Sequence, residues 1–114
     1  MSLHHRARVA RTQPRHTMNK LEAAYGMLLE AQKRREEIVD WLYEPVTLHL
    51  APRTTYTPDF MVVTNEGEVQ FHETKGFMRD DAVVKIKVAA AKFWHFRFFL
   101  VKSGKGGWSI EEVG

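Results

Sequence analysis

The segment Tyr56 to Gly76, YTPDFMVVTNEGEVQFHETKG, constrains the fold of this chain more than any other. Two apolar runs flank Asn65-Glu66-Gly67, a turn sequence that joins two strands into a hairpin. Strand side chains alternate between faces, so the turn fixes which residues lie side by side. Asp59, Met61 and Val63 share one face of the first strand. Val69, Phe71, Glu73 and Lys75 share one face of the second, and His72 points to the opposite face. Pairing through the turn brings Asp59, Glu73 and Lys75 together at the far end of the hairpin. Three charges stand there, where a buried strand should carry none.

The rest of the chain supplies a frame for this hairpin. In NKLEAAYGMLLEAQKRREE, Leu21, Ala24, Tyr25, Leu28 and Gln32 form one helical stripe, with Asn19 as N-cap and a turn near Arg34 to Glu37. YEPVTLHL alternates Val46, Leu48 and Leu50 with polar residues, which predicts a half-buried strand after Pro45. RDDAVVKIKVAAAKFWH predicts a helix with Ala82, Val83, Ile86, Ala90 and Phe93 on its apolar face and Lys85 and Lys92 opposite. FRFFLV reads as a further strand, and GKGGWSIEEV as a turn with a short edge strand. The expected order is α-β-β-β-α-β, an α/β or mixed α+β domain whose central mixed sheet of about four to five strands is flanked by helices. Trp41, Trp94 and Trp108 are expected in the core, and His49 and His95 at the surface or at helix ends.

Charge and composition bear on partners. At 114 residues and 44% hydrophobic content, the chain suits one domain with a modest core. It has no cysteine, so disulfides and thiolate zinc sites are excluded. No apolar run approaches the roughly 20 residues of a membrane span, and no secretory core is visible near the start. These features predict a reducing compartment, the cytoplasm. The net charge of +3 is uneven: residues 1–20 carry Arg6, Arg8, Arg11, Arg15 and Lys20 without an acid, a local +5 against −2 for the remainder. Residues 1–18 therefore read as a basic, flexible arm on a domain spanning 19–114. Such an arm suits a polyanion, whose counterions it releases, or serves only as a solubilising tail.

The converging charges have a chemical use. Two carboxylates held close together repel, and a divalent cation relieves the repulsion. Oxygen ligands point to Mg²⁺ or Mn²⁺. A lysine two residues from a ligand can orient or deprotonate a water and offset charge at phosphorus. The plain alternative is a surface salt bridge from Lys75 to Glu73 or Asp59, worth at most about 1 kcal/mol. Glu22 has two readings as well. It completes a capping box with Asn19, and it lies ~20° from Leu29 at the edge of the apolar stripe, within reach of the sheet edge.

TPDF at Thr57–Phe60 followed by HETKG at His72–Gly76 resembles the PD-(D/E)xK nuclease signature. NKLEAAYGMLLE, YEPVTLHL, TYTPDF, HETKGF and DAVVKIKVAAAKF are similar to segments of small phage-encoded proteins related to the phage endonuclease I family of Holliday junction resolvases. The resemblance runs from Asn19 to Val101, about 80 of the 114 residues, and leaves out the arm. It implies a restriction-endonuclease-like core and Mg²⁺-dependent phosphodiester cleavage, with Asp59, Glu73 and the Thr74 carbonyl as metal ligands. Lys75 is then the residue beside the attacking water, and Glu22 the acid contributed by the first helix. Lys85 would lie near the scissile phosphate. DNA contacts are expected from Arg6, Arg8, Arg11 and Arg15 of the arm, and from Arg79, Lys85 and Lys92. The family suggests branched DNA as substrate, a homodimer, and the host cytoplasm for a phage-encoded chain. A nicking or restriction-like nuclease without junction preference, and a non-catalytic nucleic-acid-binding module on a nuclease fold, are the alternatives.

Overall fold

The computed structural model describes residues 14, 16–76 and 82–114 in full, and residues 9–11, 80 and 81 by their backbone. The elements in chain order are β1 (Val9–Arg11), α1 (Lys20–Arg34), β2 (Ile38–Tyr43), β3 (Val46–Ala51), β4 (Thr54–Tyr56), β5 (Phe60–Thr64), β6 (Val69–Thr74), α2 (Asp80–Lys92), β7 (Arg97–Gly104) and β8 (Gly107–Val113). The fold is α+β with a mixed five-stranded sheet in the order β2-β5-β6-β7-β8, and a second sheet in the order β1-β3-β4. Only the β6–β7 pair is parallel, and α2 makes that crossover.

The hairpin forms as its sequence predicts. β5 and β6 pair antiparallel from Val63↔Val69 to Phe60↔His72. Gly67 takes φ 83°, a conformation that favours glycine, and the Thr64 and Gly67 amides close the turn at 2.9 Å each. One step beyond Phe60↔His72, Asp59 stands opposite Glu73.

Both faces of the large sheet are covered. On one, Tyr25 and Leu29 of α1 pack on Phe60, Val62 and Val101, with Trp41, Tyr43 and Trp108 around them. On the other, Ile86, Ala89 and Phe93 of α2 and Leu48, Leu50 and Tyr56 of the small sheet pack on Phe71, Phe98 and Leu100. β6 and β7 are thus buried on both sides, which makes the end of β6 a low-dielectric place for a charge. Among the described residues no helix is long and apolar enough to cross a membrane.

Several expectations need correction. Eight strands stand among the described residues where the α-β-β-β-α-β scheme has four: β1, β2 and the edge strand β8 add to it, and the segment around TPDF is two strands. Pro58 lacks the amide that would continue the ladder, so the chain breaks between β4 and β5. β2 hides from periodicity because Asp40 and Trp41 are both half-buried and a register shift falls between Ile38 and Asp40. On α1 the buried line is Tyr25, Gly26 and Leu29, while Ala24 is exposed. Trp94 is 79% exposed beyond the end of α2 rather than in the core, whereas Trp41 and Trp108 pack in the α1-side cluster. β8 is a full seven-residue strand paired to β7 over its whole length.

Candidate functional site

A capping box fixes the start of α1. The Glu22 amide donates to Asn19 Oδ1 at 2.8 Å, and the Asn19 amide donates to Glu22 Oε1 at 2.9 Å. This first turn stands over the open ends of β5 and β6. Between them lies a cleft of about 530 Å³ lined by Asn19, Lys20, Leu21, Glu22, Asp59, Glu73, Thr74 and Gly76. The hairpin delivers Asp59 and Glu73; the capped helix delivers Glu22 and Lys20.

Asp59 is 8% exposed. The Thr74 amide and hydroxyl both donate to its Oδ2, at 3.0 and 2.8 Å. Glu73 Oε1 accepts from the Tyr56 hydroxyl at 2.7 Å and from the Asp59 amide at 3.2 Å. Glu22 Oε1 accepts from the Tyr43 hydroxyl at 3.0 Å in addition to its capping bond. One oxygen of each carboxylate is therefore held by donors. Asp59 Oδ1, Glu73 Oε2 and Glu22 Oε2 accept no amide or hydroxyl hydrogen bond among the described residues, where no buried side-chain oxygen or nitrogen lacks a partner, and the Asp59 and Glu22 carboxyls stand within hydrogen-bond reach of each other. The second oxygens thus open onto the cleft.

Electrostatics follows from this arrangement. Burial raises the Asp59 carboxyl well above the carboxylate range, and the Glu22 carboxyl beside it adds to the rise against the Thr74 hydrogen bonds. Burial raises Glu73 as well, and the charge of Asp59 raises it further. Neither carboxylate forms an ion pair among the described residues. Lys75 is half-buried and forms no ion pair among the described residues, so the salt bridges to Glu73 or Asp59 are not made. Its amide donates to the Val101 carbonyl at 2.7 Å, and its side chain is not among those lining the cleft.

The donor set fits a hard divalent cation: two adjacent carboxylates with free oxygens, no sulfur, and a third carboxylate at the border. Among the described residues no three His, Asp or Glu side chains close into a metal cage, although the Glu22 carboxyl stands within hydrogen-bond reach of Asp59. Both readings of Glu22 thus have a physical basis, since it caps α1 and also lines the cleft.

The other expected contacts are spread out. Lys92 Nζ donates to the Leu50 carbonyl at 3.0 Å, which ties α2 to β3. Lys85 is half-buried on α2. Arg6, Arg8, Arg15 and Arg79 lie outside the described residues, and Arg11 is described by its backbone, in β1 paired with β3. Sequence reasoning missed three residues at the site: Tyr43, Tyr56 and Glu44. Glu44 is buried at the β2–β3 turn with φ 45°, donates its amide to the Asp59 carbonyl at 2.8 Å, and binds the His16 amide and Nδ1 through its carboxylate. The signal for Tyr56 was present, since Tyr56 stands three residues before Asp59 on the approach to the break at Pro58. Searches of protein-family models, curated proteins and solved structures give no match for this chain.

Proposed function

We propose that this protein is a metal-dependent DNA endonuclease with a restriction-endonuclease-like core, in which Asp59 and Glu73 hold a Mg²⁺ or Mn²⁺ ion. One observation carries the reading: two adjacent carboxylates, Asp59 buried and Glu73 half-buried, line one cleft and form no ion pair among the described residues. Paired buried acids with raised affinity for protons are a burden on the fold and useful to a site that binds a cation. When bound, such an ion polarises a phosphate and makes its water more acidic. The chain's own residues do the rest. Thr74 pins Asp59 Oδ2 and leaves Oδ1 to the cleft, and its carbonyl is the candidate third ligand. Glu22 adds negative charge at the border. Lys75, two residues past Glu73, would orient the attacking water and offset charge at phosphorus once its side chain turns to the cleft, and Lys20 brings a cation to the cleft wall. The basic arm and Lys85 contribute attraction to the DNA backbone.

A branched substrate and a homodimer follow from the resemblance to junction resolvases, because symmetrical cutting of a junction needs two sites. The test is Mg²⁺-dependent cleavage of four-way junction, nicked, single-stranded and linear duplex DNA by the wild type and by Lys75→Ala. Cleavage of any member by the wild type, and its loss in Lys75→Ala, is the expected result; a junction preference would support the resolvase reading. DNA binding without cleavage of any member would favour the non-catalytic module.

A further inference from the structure

Tyr56 stands out among buried groups near the site to which the reading above gives no task. It sits on β4 of the small sheet, paired with Leu48, and its ring is buried in the core that also holds Phe71. Its hydroxyl crosses from the small sheet to the end of β6 and donates to Glu73 Oε1 at 2.7 Å. The Asp59 amide donates to the same oxygen from three residues further along the same segment. Two donors on one short stretch of chain therefore grip one oxygen of Glu73. The other oxygen is left to the cleft.

We infer that Tyr56 is a positioning residue, whose hydroxyl fixes the orientation of the Glu73 carboxylate so that Oε2 faces a bound divalent cation. The inference rests on the endonuclease reading and names a residue that this reading does not need. A glutamate has three side-chain torsions, and its carboxylate turns freely unless something holds it. Holding one oxygen before a ligand arrives removes that freedom in advance, which is how surrounding hydrogen bonds raise the affinity of a metal ligand. A hydrogen bond to a charged acceptor is strong enough for this.

The test compares Mn²⁺ binding by calorimetry in three full-length proteins: wild type, Tyr56→Phe, and a chain with p-aminophenylalanine in place of Tyr56. The last keeps a donor at the ring position of the hydroxyl. Melting in chelator, with circular dichroism, checks the fold of each. Tyr56→Phe is expected to bind Mn²⁺ about tenfold more weakly, as loss of one charged hydrogen bond predicts. The p-aminophenylalanine chain should recover most of that loss. KM for DNA should stay unchanged, and kcat of Tyr56→Phe should recover at saturating Mn²⁺. If the wild type binds Mn²⁺ and folded Tyr56→Phe binds it equally well, the positioning role is overturned and the endonuclease reading stands. If Tyr56→Phe does not fold, a folded p-aminophenylalanine chain with wild-type affinity supports the role, and one with weakened affinity overturns it. If the wild type binds no Mn²⁺, both fall together.

Discussion

His72 and Glu73 are neighbours on β6, and their surroundings could hardly differ more. His72 points toward α1, where its Nδ1 meets the Tyr25 hydroxyl at 2.5 Å and its Nε2 meets Gln70 Oε1 at 2.9 Å. Gln70 Nε2 donates to Glu68, which fixes the amide so that Oε1 faces the ring. His72 Nε2 must then donate and Nδ1 must accept, so one neutral tautomer satisfies every atom. Burial lowers this histidine to about 4 and keeps it uncharged. Glu73 points the other way, with one oxygen gripped and the other open to a cleft shared with Asp59. A polar group satisfied on all sides is part of the core. One satisfied on half its surface, and pushed toward protonation, is equipped to bind something.

The comparison predicts opposite phenotypes. Asp59→Asn, which keeps an oxygen for the two Thr74 donors, should cut cleavage on the order of a thousandfold or more. The same variant should melt at a higher temperature than wild type at pH 8 in chelator, because it removes a buried like-charge pair. Equal activity in Asp59→Asn would erase the distinction between the two sides of β6.

Tyr25→Phe probes the other side. It leaves His72 Nδ1 buried without a donor and should destabilise the protein by about 1–3 kcal/mol in denaturant unfolding. Mn²⁺ affinity should stay within about twofold of wild type, since no cleft oxygen is touched. A large loss of Mn²⁺ binding with little loss of stability would place His72 in the site.

A smaller effect should appear in the pH dependence of stability. Asp59 and Glu73 titrate above their unfolded values, so the folded state holds more protons, and stability is lost as pH rises through the folded pKa values. His72 is depressed to about 4, so its contribution is complete above the unfolded value near ~6.5 and is lost as pH falls toward 4. Above pH ~6.5 only the carboxylates act, and chelated protein should lose on the order of 1–2 kcal/mol by pH 8. Saturating Mg²⁺ should flatten the slope. An unchanged slope in Asp59→Asn would assign it to other groups.

The legible parts of this molecule were those governed by local rules. Alternation and the Asn65–Gly67 turn were enough to bring Asp59 opposite Glu73, because a hairpin leaves few registers. Asn19 and Glu22 announced the start of α1 for the same reason. What stayed hidden depends on distant parts of the chain. β2 lacks alternation because it bulges against β5, a strand about twenty residues away. Tyr56 gains its role only because the small sheet folds over the large one, and Glu44 only because a left-handed turn residue is tucked beneath Asp59. The helical pattern could not tell Trp94 from a core residue, since the helix ends at Lys92 before its stripe would bury the indole.

Calorimetric titration of Mn²⁺ into wild-type and Asp59→Asn protein at pH 8 tests the central claim most directly. The account predicts saturable binding by the wild type that weakens as pH falls toward 6, when protons compete for the same two carboxylates, and no binding above background by folded Asp59→Asn. Equal binding by both proteins, or none by the wild type, would contradict it.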